Sequence, residues 1–171
     1  MNYVSIKKTD VANGPGIRVS LFVSGCSHHC KGCFNPETWD FNAGTLFTTK
    51  TIEEILDYCS PDYIQGLTLL GGDPFEPENQ QGLLPLVREF KKRFPDKDIW
   101  AFTGYLFEDI LNNMCKKNTY SKEFISYVDV LVDGPFIESL KDLRLKFKGS
   151  SNQRTIDVNA SLLNNTIILL K

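Results

Sequence analysis

No stretch of the chain approaches the ~20 consecutive apolar residues that a membrane-spanning helix needs, and residues 1–10 lack the apolar core of a secretory signal. Net charge is missing as well: 19 Lys and Arg stand against 21 Asp and Glu, a formal charge of −2. Such a chain has no broad basic field for nucleic acid or an anionic membrane, so neither is expected as a partner. Internal repeats, low-complexity tracts and linkers are absent from 171 residues, a length near that of one domain able to bury a real core. An even cysteine count is lacking too, because there are five, three of them crowded together as Cys26, Cys30 and Cys33. Disulfide-stapled secreted domains carry even counts spread along short chains, so these thiols are expected to be reduced and committed to metal or redox chemistry. The plain expectation is one cytoplasmic domain over residues 1–171.

What is present reads as alternating strands and helices. Residues 17–24, Ile-Arg-Val-Ser-Leu-Phe-Val-Ser, form an expected strand just after the turn Asn13-Gly14-Pro15-Gly16. Residues 51–59 have helical spacing in Ile52, Ile55, Leu56 and Cys59, with Thr49 or Thr51 as the expected cap. A short strand over 67–70 runs into Gly71-Gly72. A helix over 79–94 carries Leu83, Leu86, Val87 and Phe90 on one face, with Pro95 as a stop. Strands at 99–102 and 128–132, a short helix at 106–114, and two further candidate strands at 143–147 and 166–170 complete the pattern, with 149–153 as a loop. Strand and helix in alternation predict an α/β fold with a mostly parallel sheet. The distinctive tripeptides Ser24-Gly25-Cys26, Gly71-Gly72-Asp73, Thr103-Gly104-Tyr105 and Asp133-Gly134-Pro135 all fall where strands end, and in such folds the carboxyl ends of the strands form the working rim.

The central constellation is Gly25-Cys26-Ser27-His28-His29-Cys30-Lys31-Gly32-Cys33-Phe34-Asn35. Three thiolates on one tight loop lack the regularly spaced fourth ligand of a structural zinc site or of an electron-carrying cluster. Three thiolates on an iron–sulfur cubane leave one iron open to a substrate. Spacing alone leaves zinc open, with His28 or His29 completing the set. Cys59 and Cys115 fall near helix ends and read as small apolar side chains. Arg18 is the odd residue of its apolar strand, either snorkelling at a sheet edge or ion-paired below the cysteine loop. Taken singly, the glycine-rich turns are ordinary loops, and Trp39 and Trp100 are ordinary core residues. A noncatalytic zinc or iron–sulfur module remains an alternative, as does a related enzyme acting on a different substrate.

The ordered blocks carry a resemblance. Cys-x3-Cys-x2-Cys resembles the signature of the radical S-adenosylmethionine (SAM) superfamily. The full string is similar to its branch of anaerobic ribonucleoside-triphosphate reductase activating proteins. The matching blocks are Asn13-Gly14-Pro15-Gly16 with Arg18, Leu21-Phe22-Val23-Ser24-Gly25-Cys26, Cys33-Phe34-Asn35-Pro36 with Thr38-Trp39, and Gly71-Gly72-Asp73-Pro74. They continue through Asp98-Ile99-Trp100, Thr103-Gly104-Tyr105, Val132-Asp133-Gly134 and Gly149-Ser150-Ser151-Asn152-Gln153-Arg154, leaving residues 155–171 as an unassigned tail.

The resemblance implies a partial, open (β/α) barrel of radical SAM type. It implies that Cys26, Cys30 and Cys33 bind a [4Fe–4S] cluster whose fourth iron takes the amino and carboxylate groups of SAM. Gly71, Gly72 and Asp73 stand where the family holds the methionine end, usually as Gly-Gly-Glu, so Asp73 is one methylene short. Gly32, Cys33 and Phe34 are expected beside the adenosine, and Gly32 replaces an aromatic residue that many relatives carry. Asp133 is expected at a ribose hydroxyl; Pro135 supplies no lysine where some related activases have one. The implied activity is an oxidoreductase that places a glycyl radical on the anaerobic reductase, its electron coming from a donor such as flavodoxin, with no catalytic acid or base. Tyr105 and residues 149–154 are expected to dock the partner.

Replacing Cys26, Cys30 or Cys33 by Ala is expected to remove most of the iron retained after anaerobic reconstitution, while Cys59→Ala and Cys115→Ala retain it. Equal iron loss in either of the latter would defeat a three-thiolate site.

Overall fold

The structure, a computed structural model, describes residues 1–171 throughout. Its first half comprises β1 (Asn2–Asp10), β2 (Ile17–Val23), β3 (Thr45–Leu46), α1 (Thr49–Cys59), β4 (Ile64–Gly71) and α2 (Pro77–Arg93). Its second half comprises β5 (Asp98–Phe102), α3 (Phe107–Asp109), α4 (Cys115–Lys117), α5 (Thr119–Tyr127), β6 (Val130–Asp133), β7 (Arg154–Asp157) and α6 (Val158–Asn164). The strands form one open seven-stranded sheet in the order β3-β1-β2-β4-β5-β6-β7. The four central strands β2, β4, β5 and β6 are parallel. Antiparallel pairings flank them, β1 with β2 and β3, and β7 with β6.

The strands look continuously apolar because both faces of the sheet are covered. In β2, Val19, Leu21 and Val23 join Leu67, Leu69, Ile99, Ala101 and Leu131 beneath the helices. There they meet Ile55 and Leu56 of α1, Leu83, Leu86, Val87 and Phe90 of α2, and Phe124 of α5, all buried. On the opposite face, Trp100, Val130 and Val132 pack with Phe102 and Phe147. Helices thus occupy one face, and loops close the other.

The structure departs from the pattern at identifiable points. β1 was not expected, since its residues are mostly half-exposed and flank the sheet rather than fill it. Helix α1 starts earlier: Thr48 is its cap, and Thr51 answers it in a capping box. The helix expected at 106–114 is instead α3, a π turn over Ile110–Met114, and α4. Residues 143–147 form no strand, and 166–170 contribute only the bridge of Leu169 to Ile156. Part of the unassigned tail, with Arg154, forms β7 and α6, which finish the sheet edge beside β6.

Arg18 is fully buried, so it is no edge residue. Its guanidinium donates to Thr68 Oγ1 at 2.8 Å, to the Leu67 carbonyl at 3.1 Å and to Asp98 at 2.6 Å. Burial pushes its pKa down, and Asp98 opposes that shift. The Asn13-Gly14-Pro15-Gly16 turn sits on this group. Thr68 Oγ1 donates to the Asn13 carbonyl at 2.8 Å, and Gly14, at φ +124°, has no room for a Cβ, which would lie 2.8 Å from the Arg18 side chain. Asp10 accepts from Asn13 Nδ2 and Ser20 Oγ, each at 2.7 Å. The turn and Arg18 therefore form a polar plug at the amino ends of the parallel strands, away from the cysteine loop.

Truncating one member of a buried ion pair typically costs 3–5 kcal/mol; because Asp98 is part-exposed and can rehydrate, Arg18→Ala is expected to destabilise by about 3 kcal/mol. Urea unfolding with an unchanged slope and a lowered midpoint checks this; an unchanged midpoint would remove the plug as a stabilising unit.

Candidate metal centre

β2 ends in a stitched loop rather than a free one. Gly25 N donates to the Thr38 carbonyl at 2.7 Å and Cys26 N to the Trp39 carbonyl at 3.1 Å. From the neighbouring strand end, Gly72 N donates to Val23 O and Asp73 N to Gly25 O, both at 2.8 Å. The backbones approach so closely that a Cβ on Gly72 would lie 2.5 Å from the Gly25 carbonyl oxygen. Gly71, at φ +106°, would likewise strike the Phe22 backbone.

Three polar side chains three residues apart secure the loop from below. Asp73, Glu76 and Asn79 are all buried. Asn79 Nδ2 donates to Ser24 O at 3.0 Å and to Asp73 O at 2.9 Å. Glu76 Oε1 accepts from the amide and hydroxyl of Ser27 at 2.9 and 2.6 Å. Asp73 accepts from Phe75 N at 2.9 Å, Thr103 Oγ1 at 2.8 Å, Gly104 N at 2.9 Å and His28 Nε2 at 2.8 Å. The hydrogen bond to Asp73 raises the His28 pKa, so the imidazole is drawn toward the protonated donor form. Tyr105 packs its ring edge-on to His28 at 4.4 Å, and burial pushes its hydroxyl up to about 12. His29, at φ +49°, turns away and stacks on Trp39 at 4.5 Å.

All five cysteines are free thiols. Cys26, Cys30 and Cys33 are half-buried on the loop, and the Cys33 amide donates to the Cys30 carbonyl at 3.1 Å. Burial pushes the Cys26 thiol up to about 12, against the amides of His28 and His29, which favour its thiolate. Metal cations would reverse that balance, since a ligating thiol is deprotonated. Cys59 is buried in the core, as expected; Cys115 is only half-buried.

The three sulfurs open onto one cavity of about 440 Å³. Phe34, Gly71, Gly72 and Asp73 line it with them, and Phe22, Leu70, Phe102, Phe136 and Phe147 give it apolar walls. These residues fit a multi-iron cluster. The donor atoms of Cys26, His28 and Asp73 lie within 4.8 Å of one another, but His28 Nε2 is bonded to Asp73, and Cys30 and Cys33 are not in that trio. That spread of thiols along a cavity wall suits several irons better than one ion, and His29 is committed to Trp39.

Two of the expected ligand-binding residues lie elsewhere. Gly32 is exposed and faces Glu138 outside the cavity lining. Asp133 is fully buried and also outside it. Its oxygens are taken by Arg154, at 3.0 Å from Nε and 2.5 Å from Nη2, and by the Phe107 amide at 2.8 Å. The geometry therefore makes Asp133 an anchor for Arg154, which also holds Glu108 at 2.8 Å, and not a free group for a ribose. The 149–154 loop is similarly occupied: Asn152 Nδ2 donates to Pro135 O at 2.8 Å, and Gln153 Oε1 accepts from Gly149 N at 2.8 Å. Most of its side-chain polar groups are committed within the fold, with Asn152 Oδ1 left without a partner. Sequence reasoning missed Glu76 and Asn79, and it placed Thr103 on the rim without giving it a role of its own. The available signal was Asp73, Glu76 and Asn79 at spacing three, polar where the start of a covered helix should be apolar.

Residues 12–156 match the family described as 4Fe-4S single cluster domain. The chain is similar to the anaerobic ribonucleoside-triphosphate reductase-activating protein of Enterobacteria phage T4, 48% identical over 154 residues that cover 90% of this chain and 92% of that one. It is 44% identical to the protein of that name from Haemophilus influenzae and 41% identical to that from Escherichia coli K12, in each case over 90% of this chain and 96% of the relative.

The Gly72 contact reassigns one expectation. The resemblance places Gly72 beside the methionine end and gives it no part in holding the cluster loop. With its Cβ driven into the Gly25 backbone beside Cys26, Gly72→Val is expected to lose at least half of its reconstituted iron. Full iron loading of the variant, by iron assay, would restore the first account.

Proposed function

The chain belongs to the 4Fe-4S single cluster domain family and groups with the anaerobic ribonucleoside-triphosphate reductase-activating proteins, and on that premise we propose that it is a radical SAM activase generating a glycyl radical on such a reductase. The observation that carries this reading is the convergence of three free thiols and the clamped Gly71-Gly72-Asp73 turn on one cavity. Held at these residues, a cluster and SAM would supply one-electron reductive cleavage of the sulfonium, coupled to removal of a hydrogen atom from the partner glycine Cα, with methionine and 5′-deoxyadenosine as products.

The chain's own residues bind, orient and exclude. Cys26, Cys30 and Cys33 would hold three irons and leave the fourth for the amino and carboxylate groups of SAM. Gly71 and Gly72 keep backbone, not side chains, beside the methionine end. Asp73 contributes negative charge there while His28, Thr103 and Gly104 hold it still. Phe34 packs its ring on Phe136 at 5.0 Å, forming an apolar wall for the adenosine portion beside Cys33. The aromatic walls keep water from a reactive radical. No acid or base is required of any side chain.

The open sheet, with its site at the carboxyl ends of parallel strands, supports a partial (β/α) barrel over a single domain, residues 1–171. The free thiols suit a reducing, cytoplasmic setting, with a one-electron donor such as flavodoxin. No helix is long and apolar enough to cross a membrane.

Anaerobic reconstitution followed by reduction, with SAM and the reductase, tests the reading. It predicts 5′-deoxyadenosine release and a glycyl-radical doublet by EPR that requires the reductase. A loaded, reduced cluster that yields neither product would overturn it.

A further inference from the structure

Residues 140–151 form a loop that is tightly tied at its base and projects at its tip. Lys141 bridges to Ser150, Asp142 N donates to Gly149 O at 3.3 Å and Ser151 N donates to Leu140 O at 3.0 Å. Phe147 anchors the loop to the sheet with its ring edge-on to Trp100 at 5.5 Å, at a positive φ of 57° that a bulky residue adopts only under constraint. Around that anchor the loop carries Lys141 and Lys148 near its base and Arg144 and Lys146 toward its tip, against the carboxylate of Asp142, which Arg144 already holds through both oxygens at 3.0 Å. Lys31, on the cysteine loop, is paired with Glu138 at 3.8 Å and adds no free charge to this face. This patch belongs to a chain of net charge −2, so its sign is local and concentrated.

Its position identifies what it meets. Leu143 is 84% exposed yet also lines the cavity that holds the three cysteines, so the tip stands at the cavity mouth. Phe34, 54% exposed, stands on the same rim under Lys141 Nζ, 5.2 Å from its ring centre. An electron donor needs only to come near the cysteine loop from outside. A glycine of another chain must enter by the mouth, and the segment bearing it must lie across whatever borders that mouth.

We propose that the 140–151 loop is the docking element for the protein substrate, and that it receives a carboxylate-bearing, apolar-flanked segment of the reductase. This rests on the activase reading and moves the docking surface from residues 149–154 to the part of the loop that precedes them. Exposed Leu143 offers the apolar contact, while the cations steer and register the acidic segment. Arg144 and Lys146 are outside the cavity lining, so their charges can be reversed without altering its wall.

The test compares the full-length, cluster-loaded protein with an Arg144→Glu/Lys146→Glu variant and with a Lys50→Glu/Lys92→Glu control, which makes the same charge change at exposed positions of α1 and α2. With dithionite as reductant, the loop variant is expected to keep wild-type cluster EPR and SAM cleavage. It should bind the reductase at least tenfold more weakly, with a shallower salt dependence, and lose the glycyl-radical doublet at limiting reductase but recover it at excess. The control should match wild type. Unchanged reductase affinity in the loop variant, or an equal loss in the control, would overturn the proposal. So would a defect seen only when reduced flavodoxin replaces dithionite, which would give the surface to the donor. Failure of wild type to cleave SAM would count against the activase reading alone, because reductase affinity is read independently.

Discussion

A single buried carboxylate sets the geometry on which the site depends. Asp73 takes hydrogen bonds from its own turn through Phe75, from the end of β5 through Thr103 and Gly104, and from the cysteine loop through His28. Three segments far apart in sequence are thereby fixed to one group that is almost entirely removed from water. A buried carboxylate is tolerable only when its lone pairs are satisfied, so these contacts are mutually required. Asp in place of the longer Glu is consistent with this clamp, since its short side chain bonds the Phe75 amide two residues ahead as well as the neighbouring strand end.

The two ends of the sheet divide the work. At the amino ends of the parallel strands, Arg18, Thr68, Asp98 and the turn after β1 make a satisfied polar plug. At the carboxyl ends, Gly71 and Gly72 bring the backbones of adjacent loops together, and Gly25 leaves room for the Phe41 ring. Aromatic side chains line the space between. Stability is concentrated away from the chemistry, and the rim is left to bind.

Much of this was legible in the residues. Strand alternation located all four parallel strands, because burial on both faces makes Val19, Leu21, Leu67, Leu69, Ile99 and Leu131 conspicuous. The cysteine spacing and the glycine turns marked the rim. What stayed hidden were partnerships between distant polar groups. Nothing local shows that Asn79 of α2 reaches Ser24, that Asp133 is saturated by Arg154, or that Gly72 abuts Gly25. β1 escaped notice because a half-exposed flanking strand has weak alternation, while the helix expected at 106–114 is there but carries a π turn that its apolar spacing did not show. The tail matched no motif because its role is to cover an edge, which constrains shape more than residue identity.

The central claim is that three thiolates on a clamped loop hold a [4Fe–4S] cluster with one iron left for SAM. Mössbauer spectroscopy of the ⁵⁷Fe-reconstituted protein, with and without SAM, tests it most directly. The account predicts that SAM changes the spectrum of one iron site and leaves the other three essentially as they were. Four equivalent irons insensitive to SAM, as a fully thiolate-ligated cluster would give, would contradict it.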